Sequence, residues 1–113
     1  MSMKLIPISL LDRVAHRFKL LSEPLRLQLL NQLQVNGEMC VSDLVHATGQ
    51  RQANISKHLN LLAREGILKR RKEGINVHYR IIDPSIQGIC LLVCSQLGDE
   101  AVNPERLKQK SAS

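Results

Sequence analysis

The chain has 113 residues and a formal net charge of +6 at neutral pH. This length gives one domain with a modest core and excludes two domains. Phe18 and Tyr79 are the only aromatic residues, so leucine, isoleucine and valine must build the core. No apolar run approaches the length of a membrane span, and the N-terminal segment carries no secretory cleavage signal. We therefore expect a cytoplasmic protein without a membrane partner, whose cysteines remain thiols.

Two helices are predicted in the first third of the chain. An N-terminal arm covers residues 1–8, and apolar residues at helical spacing then indicate a first helix over 9–21. Ser22 is the predicted N-cap of a second helix, because it precedes a Glu–Pro pair that suits a first turn. Asn36-Gly37 is predicted to end this helix.

A short helix, a glycine turn and a basic helix follow. Ser42 is the predicted N-cap of the short helix, and Gly49 ends it. The basic helix begins at Gly49 or Gln50 and ends near residues 64–65. Its apolar stripe, expected to face the core, is Ile55, Leu59 and Leu62. Two helices joined in this way form a helix-turn-helix unit.

The hydrophobic period then changes. The stretches ILKRR and NVHYRII have strand-like composition and flank a glycine-bearing turn, so they predict a β-hairpin. Asp83 is the predicted cap of a last helix that ends at Gly98 and carries an apolar stripe of Ile86, Ile89, Cys90, Val93 and Leu97. The order of elements predicts a mainly α fold with a β-hairpin wing, a winged helix-turn-helix, over residues 9–98. A polar tail covers residues 99–113.

The positive charge is concentrated in the basic helix and the hairpin. Between Arg51 and Arg80 eight basic residues stand against two acidic ones, so this segment holds the whole excess of +6. Such a region is typical of a polyanion-binding face, although a solvated basic surface without a partner has the same composition. The polar residues from 51 to 60 are amides, hydroxyls, an imidazole and cations, as a helix in the major groove of duplex DNA requires.

Three segments, EMCVSDL, ISKHLNLLAREGIL and RRKEGINVHYRI, form a specific combination. With the preceding SEPLRLQLLNQL, they resemble the ArsR/SmtB family of winged-helix repressors over about residues 14–98. The resemblance implies a homodimer whose first and last helices pair across a two-fold axis. It also implies a repressor that leaves a palindromic operator when an inducer binds. The apolar stripe of the last helix is independently consistent with a second copy of the chain.

The resemblance also assigns nine residues to DNA. Amides of the basic helix suit base edges, and its hydroxyl, imidazole and amine suit bases or phosphates. The predicted set is Gln52, Asn54, Ser56, Lys57, His58, Arg70, Arg71, Lys72 and Asn76. A local hydrogen-bonding role is the alternative for Ser56 and His58. Alternate side chains of a strand point to opposite faces, so not every hairpin residue can reach DNA. Arg51 departs from the family, in which many relatives have a capping serine.

The sensing sites that the family implies are incomplete here. Zinc-type members use an Asp and a His with further His or Glu on the last helix, and this last helix contains no His. We therefore expect no zinc, cobalt or nickel sensor of that type. Arsenic- and cadmium-type members usually carry Cys-Val-Cys-Asp at the third helix. Here Ser42 replaces the second thiol, and only Cys40 is retained.

Cys90 and Cys94 are the remaining thiols, and their spacing of four places them on one helix face. Thiolates select soft ions. We expect a thiophilic inducer such as trivalent arsenic at Cys90 and Cys94, with Cys40 as a third contributor and no required cofactor. A redox or reactive-sulfur switch is one alternative, although the cysteine positions of sulfur-sensing relatives fall near Asn31 and Gly98 here. The other alternative is that the thiols only pack.

Two other classes of protein are less consistent with the sequence. An enzyme is not expected, because the sequence shows no glycine-rich phosphate loop, no nucleophile elbow and no paired carboxylates with a pocket. A winged-helix module that binds protein or RNA would share the fold. The amide-rich face of the basic helix favours duplex DNA over protein or RNA as the binding partner.

Overall fold

A computed structural model of the chain describes residues 5–102, and the side chains of residues 5–98. Within this range the elements are a 3₁₀ turn, five α-helices and a three-stranded antiparallel sheet. In chain order they are the 3₁₀ turn Ile8–Leu10, α1 Leu11–Leu21, α2 Pro24–Asn36, β1 Met39–Cys40, α3 Val41–Thr48, α4 Gln52–Arg64, β2 Leu68–Glu73, β3 Asn76–Ile81 and α5 Pro84–Val102. They fall into two compact units that divide between Ile82 and Asp83, with α5 in the second.

The structure confirms the predicted helix-turn-helix and hairpin. Gly49 follows α3 with a φ of 71°, a left-handed conformation that glycine adopts without strain, and this turns the chain into α4. Strands β2 and β3 pair from Leu68 opposite Ile81 to Glu73 opposite Asn76. The first unit is therefore a winged helix-turn-helix.

The sheet contains a strand that the sequence did not indicate. β1 pairs antiparallel with β3, so the strand order is β1-β3-β2. Met39 lies opposite Tyr79, and Cys40 lies opposite His78. Two residues are too few for a period-two pattern to be read from the sequence, so only the pairing with β3 reveals this strand.

The core of the first unit is rich in leucine, as the composition predicts. It draws buried side chains from α1 through β3, namely Leu20, Leu21, Leu29, Leu30, Leu33, Leu44, Ile55, Leu59, Leu62, Ile67, Leu68 and Tyr79. Burying a leucine or isoleucine contributes about 1.5–3 kcal/mol each, so this cluster is the main stabilising term of the unit. Phe18, the other aromatic residue, is 51% exposed.

The predicted cap of α2 is wrong by one residue. Glu23 occupies the N-cap position, with Pro24 at the first helical position. The Ser22 hydroxyl instead donates to the carbonyl oxygen of Lys19 at 2.7 Å, at the end of α1. Ser22 therefore closes the preceding helix and does not cap the next one.

The starts of α3 and α4 also differ from the prediction. Cys40, and not Ser42, is the N-cap of α3, and its backbone N–H donates to the Asp43 carboxylate at 3.4 Å. Helix α4 begins at Gln52, after both residues predicted as its start, and its N-cap Arg51 makes no side-chain capping bond. Helix ends fray and vary by one or two residues, so sequence alone does not fix the N-cap.

Helix α5 begins as predicted and ends later. The Asp83 carboxylate accepts hydrogen bonds from the Ser85 backbone N–H at 2.9 Å and from the Ser85 hydroxyl at 2.7 Å. The predicted end at Gly98 is wrong, because the helix continues to Val102. A glycine inside a helix costs only about 1 kcal/mol, so it need not end one.

Apolar side chains are exposed along much of α5. Of the predicted stripe, Ile86 is buried, Ile89 and Cys90 are half-buried, and Val93 and Leu97 are exposed. Leu91 and Leu92 are 65% and 73% exposed. Across residues 5–102 no helix has the length and apolar character that crossing a membrane requires.

Candidate DNA interface

Helix α4 has one buried face and one polar face. Ile55, Leu59 and Leu62 are completely buried. Gln52 and Lys57 are exposed, while Asn54 and Ser56 are half-buried. The helix contains no acidic residue. Its outer face therefore offers amide, hydroxyl and ammonium groups with no carboxylate to repel a phosphate backbone.

His58 does not belong to that outer face, so the prediction that it contacts DNA is wrong. Its side chain is only 8% exposed, and its Nδ1 accepts a hydrogen bond from Arg26 Nε at 3.1 Å. Burial, followed by the charge of Arg26, lowers the pKa of His58 below its usual value. His58 lies three residues after Ile55 and four before Leu62, so the helical period itself indicated the inner face.

The predicted wing residues lie on two faces of the hairpin. Directly opposed residues of paired strands share a face. Arg70 lies opposite Tyr79, and Lys72 lies opposite Val77. Arg70 and Lys72 are therefore on the same hairpin face as the buried Tyr79. Arg71 lies opposite His78, and Asn76 lies opposite Glu73, on the other face. All four predicted wing residues are exposed, namely Arg70, Arg71, Lys72 and Asn76.

Carboxylates already surround the charge of Arg71. Its guanidinium donates to Glu38 at 2.5 and 3.1 Å and to Glu73 at 2.8 Å. Hydrogen bonding to Arg71 is the main cause that lowers the pKa of both glutamates. Arg71 therefore links the start of β1 to the hairpin, and less of its charge is available to a phosphate than that of Arg70.

A hydrogen bond joins the hairpin to α4. The Tyr79 hydroxyl donates to Asn60 Oδ1 at 2.6 Å, and the tyrosine ring is buried. Sequence reasoning did not identify Asn60, Glu38 or Arg26 as functional. Their partners lie 19 to 33 residues away along the chain, and no local pattern reports such contacts.

The three thiols have different surroundings. Cys40 is half-buried, and its thiol donates to Asp43 Oδ2 at 3.0 Å and lies 3.0 Å from the Ser42 hydroxyl. The bond from Cys40 lowers the pKa of Asp43. Cys90 is half-buried and Cys94 exposed, four residues apart on α5. Within the part of the chain that the structure describes, no three His, Cys, Asp or Glu side chains cluster as metal ligands.

Comparison with known proteins places the chain among bacterial regulators. Residues 23–70 match the family model described as bacterial regulatory protein, arsR family. The arsenical resistance operon repressor of Escherichia coli is 44% identical over 77 residues, which span 68% of this chain and 60% of that protein. These proteins are transcriptional regulators and not enzymes.

Solved structures show the same architecture. The crystal structure of the AntR antimony-specific transcriptional repressor superposes with a TM-score of 0.82 at 32% identity, covering 91% of this chain and 93% of that chain. The homodimeric winged helix-turn-helix DNA-binding domain of a possible ArsR-family regulator from Mycobacterium bovis has a TM-score of 0.68 at 32% identity, covering 88% and 91%. The acid-free outer face of α4, the basic hairpin beside it and these likenesses agree: the chain belongs to the ArsR family of bacterial regulatory proteins and is a winged helix-turn-helix transcription regulator.

Proposed function

We propose that the protein represses transcription by binding operator DNA with the outer face of α4 in the major groove and the hairpin on the phosphate backbone. The observation that carries the proposal is the outer face of α4. It combines exposed amide and amine groups with no carboxylate, on a helix whose other face is fully buried. A helix face that contacted only water would have no reason to lack acidic residues.

The proposed DNA contacts divide by the chemistry of their side chains. Gln52 and Asn54 carry the amides that can pair with base edges, so they are the proposed readers of sequence. Lys57, Arg70 and Lys72 are exposed cations without carboxylate partners in the described structure, and they are the proposed phosphate contacts. Ser56 is a further candidate for a phosphate. Arg71 and Asn76, on the other hairpin face, are expected to contribute less.

The protein is proposed to act as a homodimer. The solved Mycobacterium bovis domain is homodimeric. In this chain α1 exposes Leu11 and Phe18, and α5 exposes Leu92 and Leu97, each by 45% or more. Exposed apolar helices of this kind in a small chain are expected to be covered by a second copy.

Titration of a labelled duplex from the promoter of the protein's own gene tests the binding proposal. We expect saturable binding of two chains per site, with affinity that falls steeply as salt rises, because bound cations release counterions from DNA. An RNA hairpin of equal length serves as the control. Binding to RNA alone, or no salt-dependent binding to the duplex, would contradict the proposal.

A thiol-reactive inducer is proposed to release the repressor. Cys90 and Cys94 share a face of α5, and soft thiolates favour trivalent arsenic or antimony over hard ions. The Escherichia coli relative is an arsenical resistance operon repressor, and the structural neighbour AntR is antimony-specific. These two similar proteins support a metalloid as the inducer of this chain. The inducer would bind the thiols in a reducing cytosol.

A double variant tests the sensing thiols. Cys90→Ser with Cys94→Ser should dimerise and bind the operator but no longer release it when As(III) or Sb(III) is added. Cys40→Ser is the matched single-thiol control, and a partial loss of response there would identify Cys40 as a third ligand. Release by peroxide or persulfide but not by metalloids would favour the redox or reactive-sulfur alternative. A double variant that responds like wild type would show that the thiols only pack.

A further inference from the structure

One side chain of α2 contacts both α1 and α4. Arg26 Nε donates to His58 Nδ1 at 3.1 Å, and Arg26 Nη1 donates to the carbonyl oxygen of Leu20 at 3.2 Å. Leu20 lies in the last turn of α1, where carbonyl groups have no partner within the helix. A single guanidinium therefore joins α1, α2 and α4.

The Arg26 contact fixes the protonation state of His58. An arginine N–H can only donate, so the Nδ1 atom at 3.1 Å must accept, and the imidazole proton must sit on Nε2. A second proton would occupy Nδ1, remove the acceptor, and place an imidazolium against a guanidinium. His58 is only 8% exposed, so solvent would screen that repulsion poorly. The contact exists with neutral histidine only.

His58 is also well placed to move the DNA-facing residues. It follows Lys57 directly and lies one helical turn after Asn54, and the fully buried Ile55 and Leu59 flank it on the inner face. Helices respond to a disturbed core contact by shifting as rigid bodies, because packed interiors leave little room for local adjustment. A shift of α4 at His58 would displace Gln52, Asn54 and Lys57 together.

We propose that His58 is a positioning residue of α4, and that operator affinity requires its neutral form, held by Arg26. The inference rests on the proposed operator binding. Protonation of His58 breaks the contact between α2 and α4, moves the base-reading face, and lowers affinity. The protein thus loses its operator as the pH falls, independently of any inducer.

The charges around His58 set the direction of this response. Arg26 of α2 and Lys57 of α4 disfavour the imidazolium, and Glu23 at the start of α2 favours it. Burial is the largest influence, and it too disfavours the charged form, so the pKa of His58 lies below its usual value of 6.5. The neutral form therefore prevails at neutral pH, and affinity is lost only as the pH falls through the lowered pKa.

The test measures affinity for the labelled operator duplex from pH 8 to pH 5 at constant ionic strength, with the full chain and without inducer. For the wild type we expect a loss on the order of tenfold, with a slope of at most about two decades per pH unit, since each of the two chains at the operator takes up one proton. His58→Asn is the matched variant, because its amide oxygen can accept from Arg26 near the position of Nδ1 but does not titrate. It should bind like wild type at pH 8 and keep that affinity at pH 5.

The difference between the two profiles isolates His58, because every other titrating group is common to both proteins. Parallel profiles for the wild type and His58→Asn would overturn the inference, whereas absence of duplex binding by both at every pH would overturn the proposed function. If the variant does not fold, an NMR titration of His58 in the free and operator-bound wild type provides a second test. Linkage requires a lower His58 pKa in the operator-bound protein than in the free protein, and equal values would refute the positioning role.

Discussion

Helix α4 and the β2–β3 hairpin are both proposed to contact DNA, but packing in the core holds α4, whereas strand pairing and surface ion pairs hold the hairpin. Three apolar side chains of α4 are completely buried, and His58 adds a fourth buried contact through Arg26. In the hairpin only Leu68 and Tyr79 are buried, and the Arg71 ion pairs with Glu38 and Glu73 lie on the surface. The proposed DNA contacts of α4 should therefore be rigidly positioned and sequence-specific. Those of the hairpin should be adjustable and mainly electrostatic.

This difference separates stability from affinity in the two regions. A buried contact in α4 cannot be removed without destabilising the unit, since the inner face is part of its core. Most hairpin side chains can be changed with little effect on folding, because they contact mainly solvent. Substitutions in the two regions should therefore have different consequences.

The largest expected effect is the loss of a buried side chain from α4. Leu59→Ala should lower the free energy of unfolding by about 2–5 kcal/mol, because it leaves a cavity in the core. The matched control is Ile75→Ala at the hairpin turn, where the side chain is 97% exposed. It should change stability by less than about 0.5 kcal/mol. Urea denaturation of both variants is the measurement, and equal losses would remove the distinction between the two regions.

Base reading should be confined to α4. Gln52→Ala should reduce the preference between operator sequences by ~1–3 kcal/mol, the usual value of a bidentate contact to a base. Lys57→Ala, on the same exposed face, should weaken binding to all sequences equally because its proposed contact is with a phosphate. Competition binding with a panel of single-base operator variants measures both. An unchanged ranking in Gln52→Ala would place base reading on another residue.

Loss of the hydrogen bond between Tyr79 and Asn60, which links the hairpin to α4, should lower the free energy of unfolding by less than the loss of a core leucine. Tyr79→Phe removes the hydroxyl that donates to Asn60 and keeps the buried ring. We expect a loss of about 0.5–1.5 kcal/mol in unfolding free energy, as for one hydrogen bond. If the bond also fixes the hairpin against α4, operator affinity should fall while the ranking of sequences is retained. Thermal denaturation and operator titration test the two effects.

Within the hairpin, the two neighbouring arginines should differ. Arg70→Ala should reduce the salt dependence of DNA affinity by about one unit of slope, as one phosphate contact is lost. Arg71→Ala should change the slope less, because carboxylates already pair with its guanidinium. Affinities between low and moderate salt give both slopes. A larger effect for Arg71 would mean that DNA displaces Glu38 and Glu73.

Acid should act on the two regions in separate pH ranges. A lowered pKa means that the unfolded state binds the proton first, so stability is complete above the unfolded value and declines as the pH falls. For His58 the decline begins below about 6.5, and for Glu38 and Glu73 it begins below about 4.5. His58→Asn should remove only the first decline, and Arg71→Ala should reduce only the second, to which Asp43 also contributes. Denaturation midpoints between pH 8 and pH 3 resolve them.

The regular elements could be predicted from sequence because each follows a local pattern. The stripe Ile55, Leu59 and Leu62 identified the inner face of α4, and the change of period identified the hairpin. His58 shows the limit of reading residue type alone, since a polar residue at a core position was assigned to DNA. The side-chain links could not be predicted. Arg26 and His58, like Glu38 and Arg71, meet only after the chain has folded.

The short strand β1 has a consequence for the order of folding. The hairpin pairs residues that are close in sequence, from Glu73 with Asn76 to Leu68 with Ile81. Its residue pairs can therefore form one after another, starting at the turn. Strand β1 instead pairs Met39 with Tyr79, across the whole helix-turn-helix. Closing so long a loop costs chain entropy for a two-residue ladder, and it cannot precede the docking of α3 and α4. We therefore expect β1 to join the sheet last, and its amides to exchange with solvent sooner than those between β2 and β3.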